Sequence, residues 1–251
     1  MYFCKVLCNN LTKMAVILHI ETATDGCSVA VSQDGATIFH TDNFEELRSG
    51  GNKDTNHSKR LGVFIDEAMS FTDNHGIPFD AVAVSSGPGS YTGLRIGVSM
   101  AKGICYGQDL KFISVPTLQV LCVPVLLKHD DLPEDALICP MLDARRMEVY
   151  TALYTRALKP VVDTCAMVID GEAFKEQLDK HPIYFFGNGA EKCKEVINHP
   201  NAHFIDGIEL DAKNMAPLAE KRFLNEEFED VAYFEPFYLK DFVATKAKKL
   251  L

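Results

Sequence analysis

Two acidic residues close apolar runs that are built alike: Glu21 ends residues 15–21 (AVILHIE) and Asp143 ends residues 137–143 (LICPMLD). A carboxylate at a strand end can hold Mg2+ through water. Thr22 and Thr24 beside the first, with Arg145 and Arg146 beside the second, make each a polar hairpin. Glycine-rich turns are the other candidates for chemistry: Gly87-Pro88-Gly89 before Ser90, and Gly187-Asn188-Gly189-Ala190 before Glu191. A helix that opens on such a turn offers free N–H groups to an anion. Neither turn has the Gly-Lys-Ser/Thr ending of a P-loop or the G-x-G-x-x-G spacing. The first therefore reads as a tight turn that lets strand and helix pack, and weak nucleotide binding stays open at the second. His57 at the mouth of a helix, with no partner in the sequence, reads as a surface or capping residue.

These residues need elements to position them. Residues 81–86, small and β-branched with no charge, read as a central strand covered on both faces. Residues 93–106 follow as a helix capped by Ser90 or Thr92. That helix carries an apolar row of Ile96, Met100 and Ile104, a small-residue row of Gly93, Gly97, Ala101 and Cys105, and a third face of Arg95, Ser99, Lys102 and Tyr106. Mid-helix glycines cost about 1 kcal/mol each against alanine. Close packing must offset them, either inside the domain or across an interface. Upstream, residues 15–21, 27–32 and 36–41 predict an antiparallel meander, 43–56 a mobile loop, and 57–71 an amphipathic helix on Leu61, Phe64, Ile65, Ala68 and Met69. A strand 111–115 and a helix 116–128 complete the first half.

The charged stretch His129 to Asp135 (HDDLPED) predicts a boundary. Beyond it the pattern repeats: strands 137–142, 148–154 and 161–169, a helix 171–180, a strand 183–186, a helix 191–198, a strand 202–205 and a helix 212–225. The expected organisation is two α/β lobes, residues 14–130 and 136–240, preceded by 1–13 as a disordered extension or upstream start and followed by a basic tail, 241–251.

The composition bounds the rest. With 251 residues and 47% apolar content the chain can fill a real core. Its formal charge of −10 repels a phosphate backbone, so tight binding to nucleic acid by the chain alone is not expected. Eight cysteines without a C-x-x-C pair read as reduced core residues, which implies a cytoplasm. No apolar run reaches the ~18 residues of a membrane helix, so no membrane is expected.

Two lobes with an acid ending the first strand of each and a glycine turn late in the second resemble the actin, sugar-kinase and Hsp70 class. The segments ILHIETATDGCSVAV, HSKRL, VSSGPGSYTGLRIGVSMAKGI, LDARRMEVY, GNGA and PFYLK stand in the order seen in the TsaB (YeaZ) family. The resemblance covers residues 14–240. It implies an α/β two-lobed fold, each lobe a mixed sheet with flanking helices, and a role in making threonylcarbamoyladenosine in tRNA beside the anticodon. The implied chain is a non-catalytic subunit that pairs with the catalytic paralogue TsaD. A TsaE-like ATPase joins that assembly, the chain alone is a homodimer, and tRNA is met only through the complex.

The resemblance places the partner and dimer interface on Leu61, Ile65, Leu94, Ile96, Gly97, Met100, Ala101 and Ile104. A vestigial nucleotide site would comprise Glu21, Thr22, Thr24, Asp143, Gly187 and Gly189. No cofactor is expected, beyond weak ATP or ADP with Mg2+ at the cleft or the partner interface. The paralogue carries H-x-x-x-H after the strand that corresponds to 111–115, two imidazoles one helical turn apart, as a bound metal requires. Thr117 and Leu121 occupy those positions here, so neither a catalytic metal nor a catalytic residue is expected. The competing readings are a glycoprotease-like metallopeptidase and a stand-alone kinase or ATPase of the same fold.

Overall fold

The structure, a computed structural model, describes residues 15–50 and 57–240. Its first sheet is built on β1 (Val16–Glu21), whose six residues are all buried, as a central strand with cover on both faces demands, with the acid Glu21 at its end. β2 (Ser28–Gln33) and β3 (Ala36–Asp42) follow as the antiparallel meander. β4 (Ala81–Ser85) and β5 (Lys111–Val115) add in parallel on the other side of β1, giving the order β3-β2-β1-β4-β5. Period-2 alternation divides β1: Val16, Leu18 and Ile20 enter one core, and Ile17 enters another.

The second sheet repeats this arrangement. β6 (Leu137–Asp143), β7 (Glu148–Thr155) and β8 (Pro160–Val168) are antiparallel, and β9 (Ile183–Phe186) and β10 (Ala202–Ile205) pair in parallel beyond β6. The order is β8-β7-β6-β9-β10, the same topology. Between the sheets lies a shared core in which Ile17 and Ala83 of the first meet Ile138 and Phe186 of the second through α4 (Thr117–Lys128). That helix has no polar face and, apart from the partly exposed Gln119, is buried from Thr117 to Val125, as a helix sandwiched between two sheets must be. α2 (His57–His75) and α3 (Tyr91–Gln108) cover the outer face of the first sheet.

Several expected boundaries move. The stretch 43–56 is not uniformly a loop: α1 (Phe44–Arg48) forms because Phe44 buries its ring against Gly26, while Asn43 Oδ1 accepts the Cys27 N–H at 2.8 Å. α2 extends to His75. The helix expected over 171–180 shrinks to α5 (Lys175–Leu178), because Phe174 takes a left-handed φ of 61°. The one expected over 191–198 becomes a 3₁₀ turn, Glu191–Cys193. Its apolar stripe is Cys193 and Ile197 with a partly buried Val196, too little to offset helix nucleation.

The second lobe also does not run to residue 240. A 3₁₀ turn (Ala212–Met215) and α6 (Ala216–Leu224) enter the shared core beneath β1. The chain then continues along the first lobe, where Glu229 N–H donates to Phe112 O at 2.8 Å and Phe237 N–H to Ser86 O at 2.7 Å. The expected extension 1–13 and tail 241–251 lie outside the described residues.

Candidate functional site

The carboxylates that open the two hairpins have unlike surroundings. Glu21 is wholly buried; its Oε1 accepts the Ala23 N–H at 2.7 Å and the Ser85 hydroxyl at 2.8 Å, and its Oε2 has no partner among the described residues. Burial pushes its carboxyl up to about 7. Thr22 is buried beside it and donates to Gly93 O at 2.8 Å. A Cβ on Gly93 would collide with Thr22 O, and one on Gly89 would stand 2.5 Å from Ala23 O. The first glycine turn is thus filled by the hairpin it packs on.

Asp143 is half exposed and held by Lys192, whose Nζ also donates to Arg146 O and Glu148 O at 2.7 Å. Gly187 (φ +100°) and Gly189 press on the end of β6, where added Cβ atoms would stand 2.5 Å from Met141 O and 2.8 Å from Leu142 C. The helix expected to turn its N-terminus to a phosphate there is the three-residue 3₁₀ turn. Of the expected nucleotide residues, Thr24 alone lines the hollow between the lobes, about 140 Å3, with Phe44, Leu121, Leu142 and Asn188. Small-molecule sites usually begin at roughly 300 Å3. The six residues named for a nucleotide therefore do not converge on one open site.

Histidine gives no better centre. Although Thr117 and Leu121 replace the paralogue's pair, and no other such pair is expected, the chain does carry one H-x-x-x-H elsewhere, His199 and His203. Pro200 separates them, His203 lies on β10 stacked on Tyr184, and His199 Nδ1 accepts the Asn201 N–H. They share no helical face. His40 Nε2 lies 2.7 Å from Asp211 Oδ1 and 3.7 Å from Asp42 Oδ2, but Lys213 Nζ already stands 2.7 Å from Asp211 Oδ2. With Asp211 capping the 3₁₀ turn, this cluster serves to pin β3 to it.

The outer face of α2 and α3 is different in kind. Five of the eight expected interface residues turn inward: Leu61, Ile65, Leu94, Gly97 and Ala101 belong to the lobe's own packing. A Cβ on Gly97 would collide with Thr22 Oγ1. The small-residue row therefore seats α3 on the first hairpin and strand, a correction to its place in the interface. Ile96, Met100 and Ile104 stay partly exposed. Ile96 and Met100 line a hollow of about 680 Å3 with Tyr91, Thr92, Arg95 and Ser99. On α2, Val63 is 55% exposed.

A second groove, about 340 Å3, continues from Arg95 and Ser99 to the returning chain at Phe234, Pro236 and Tyr238. Lys102 Nζ fixes that chain by donating to Ala232 O at 3.1 Å and Phe234 O at 3.0 Å. The Tyr91 and Tyr238 rings lie 4.8 Å apart, and Arg95 donates to the Tyr91 hydroxyl at 2.9 Å. Helical spacing puts Arg95, Ser99 and Lys102 on one face, yet the expected interface omits them and the returning segment. The PFYLK motif is the signal in the sequence that could have included it.

Known proteins share this architecture. Residues 52–248 match the family model described as TsaD: tRNA N6-adenosine threonylcarbamoyltransferase. The chain is 28% identical over 236 residues to the tRNA threonylcarbamoyladenosine biosynthesis protein TsaB of Escherichia coli K12, covering 92% of this chain and 96% of that one. It is 34% identical over 146 residues to TsaB of Bacillus subtilis 168, covering 57% and 61%. The solved structure of YeaZ from Pseudomonas aeruginosa superposes with a TM-score of 0.72 at 20% identity, over 90% of this chain and all of that one.

Proposed function

The chain belongs to the TsaD family of tRNA N6-adenosine threonylcarbamoyltransferases, on its TsaB (YeaZ) branch, and from that premise we propose that it is the non-catalytic subunit on which a catalytic TsaD paralogue assembles. Its role lies in threonylcarbamoyladenosine biosynthesis in tRNA. In this reading the transfer chemistry resides in TsaD and a TsaE-like ATPase joins the pair. The chain alone forms a homodimer through the same face. Transfer RNA is reached through the complex, because a formal charge of −10 gives this chain little attraction for phosphates.

One observation carries the proposal. α2 and α3 pack most of their apolar residues inward, yet leave Ile96, Met100 and Ile104 partly uncovered beside a wide hollow. Rimmed apolar surface of this kind marks association sites. The buried Glu21 and the Lys192-paired Asp143 support assigning the chemistry to the partner, since neither is presented to a substrate.

Light scattering of the chain mixed with TsaD of the same organism tests this. A one-to-one complex replacing the homodimer is expected. Met100→Arg weakens it at least about 30-fold, roughly 2 kcal/mol for a buried interface anchor, whereas Leu127→Arg, at a 73% exposed position on α4, leaves it unchanged. If Met100→Arg binds like the parent, α3 is not the docking face. If the parent chain ignores TsaD altogether, the subunit reading falls.

A further inference from the structure

Between β6 and β7 stand two adjacent arginines in left-handed backbone, Arg145 at φ 71° and Arg146 at φ 52°, and both are exposed. Such backbone is costly for any residue with a Cβ and is ordinarily left to glycine, asparagine or aspartate. Among the described residues no other two neighbouring non-glycine residues adopt it. Strain of this kind gathers at sites that bind or switch. The hairpin is also held firmly: Asp143 Oδ1 accepts the Arg145 N–H at 3.0 Å, the Ala144 N–H donates to Glu148 O at 3.1 Å, and Lys192 Nζ donates to Arg146 O and Glu148 O at 2.7 Å.

Its charge is one-sided. The two acids of the hairpin are each taken by a lysine from elsewhere in the chain, Asp143 by Lys192 and Glu148 by Lys240. The guanidinium groups of Arg145 and Arg146 are left without an ion pair among the described residues. Four cations against two acids make the tip +2 on a chain whose formal charge is −10. At physiological salt, charges are screened beyond about 8 Å, so an anion at the tip meets these cations rather than the remote acids. The position matters too. Tyr238 packs on Tyr91 at the head of α3, and two residues later Lys240 reaches Glu148, so the hairpin stands beside one end of the docking face.

We propose that Arg145 and Arg146 grip the phosphate backbone of the transfer RNA held by the assembled complex, an inference that rests on the subunit reading above. Planar guanidinium groups take phosphate oxygens in bidentate fashion. Two of them on successive residues, about 3.8 Å apart at Cα, suit neighbouring phosphates of one strand. Phosphate contacts carry no base information, so the hairpin positions the RNA and does not select it. The chain alone, at −10, holds RNA weakly.

Fluorescence anisotropy of a labelled tRNA transcript, titrated with the complex of this chain and TsaD at salt from about 50 to 200 mM, tests the assignment. Arg145→Asn/Arg146→Asn removes both charges and suits left-handed backbone, so the chain stays folded. RNA affinity is expected to fall at least about tenfold, the worth of a charge-assisted hydrogen bond. The slope of log K against log salt becomes shallower by about 1.4, for two phosphates released. Assembly with TsaD, followed by light scattering, stays the same, and Arg145→Lys/Arg146→Lys restores most of the slope. Unchanged RNA affinity in the asparagine variant overturns the proposal. Weakened assembly in that variant overturns it as well, and assigns the arginines to an acidic surface of the partner. If the asparagine pair fails to fold, Arg145→Gly/Arg146→Gly, which left-handed backbone accepts freely, takes its place. If the parent chain does not assemble with TsaD, the subunit reading falls, and titration of the chain alone at about 50 mM salt decides the contact. There, a loss of RNA affinity in the variant upholds it, and equal or absent binding overturns it.

Discussion

The two lobes share a strand order and differ in what covers it. Both sheets grow from an antiparallel meander onto two parallel strands, and in both a glycine turn packs against the end of the first strand. The first lobe covers its outer face with helices of 19 and 18 residues, while the second uses a four-residue helix and a 3₁₀ turn. Long helices have outward faces, and among the described residues the first lobe carries the longer ones on its outer face. The acids at the equivalent strand ends diverge accordingly: Glu21 is sealed beneath α3, and Asp143 lies half exposed against Lys192. Topology is duplicated, but the cover differs, and the docking face proposed above draws on that difference.

The strongest way to break that comparison is at the glycines. Gly93→Ala places a methyl into the Thr22 carbonyl oxygen, where backbone meets backbone and neither can yield. A loss of at least about 3 kcal/mol in urea unfolding is expected, the scale of overpacking in a rigid site. Gly189→Ala meets Leu142 C at 2.8 Å in the second lobe and is expected to cost less, about 1–2 kcal/mol, because a 3₁₀ turn can shift more easily than an 18-residue helix. Equal losses would mean that the helix adds no rigidity.

The buried acid gives the next largest effect. The folded pKa of Glu21 lies at about 7 against an ordinary 4.5, so the native state holds a proton that the unfolded chain has released. Its contribution is present below about pH 4.5 and is lost as pH rises through 7; at about 1.4 kcal/mol per pH unit that amounts to roughly 3 kcal/mol. His19, two residues away on β1, runs the other way: burial lowers it from 6.5 to about 3, so its contribution is present above 6.5 and lost as pH falls toward 3. Between pH 4.5 and 6.5 the slopes oppose each other. Glu21→Gln should therefore make stability rise with pH across that window, followed by thermal denaturation at several pH values. An unchanged profile would show that Glu21 is charged and solvated in the native chain.

Much of this is legible in the sequence, and the failures have a common cause. The ten strands of the described residues are all visible there, because apolar or alternating runs bounded by turn residues leave few alternatives. So are α3 and α4. What fails is anything set by a distant neighbour. α1 exists because Phe44 finds Gly26, and the inward turn of Gly97 exists because Thr22 approaches it; neither contact is encoded in local periodicity. α6 has an ordinary amphipathic pattern, which says nothing of which lobe it joins. The expected interface errs in the same way. Three rows on α3 are distinguishable, but not which of them meets the first hairpin.

A smaller effect sharpens the docking side of the comparison. Gly103 on α3 has nothing within 4 Å of an added Cβ, unlike Gly93 and Gly97 on the same helix. No contact among the described residues offsets its helical cost, so Gly103→Ala should stabilise the isolated chain by up to about 1 kcal/mol. If a partner's backbone crosses α3 at this point, the same substitution weakens the TsaD complex. Raised stability with unchanged association would move the crossing point away from Gly103.

The smallest effect belongs to the other lobe. Asp143→Asn removes one end of a pair in which Asp143 is 48% and Lys192 24% exposed. Surface pairs are worth about 0–1 kcal/mol, and here Lys192 keeps the carbonyls of Arg146 and Glu148, while the Asp143 N–H keeps Asn188 Oδ1 at 3.0 Å. Chemical denaturation should therefore register no more than about 0.5 kcal/mol. Lys192→Ala should cost more, because it strips two carbonyl oxygens as well as the carboxylate. If Asp143→Asn instead destabilised the chain as much as Glu21→Gln alters its pH profile, the two acids would be doing the same work, and the asymmetry between the lobes would lie in their helices alone.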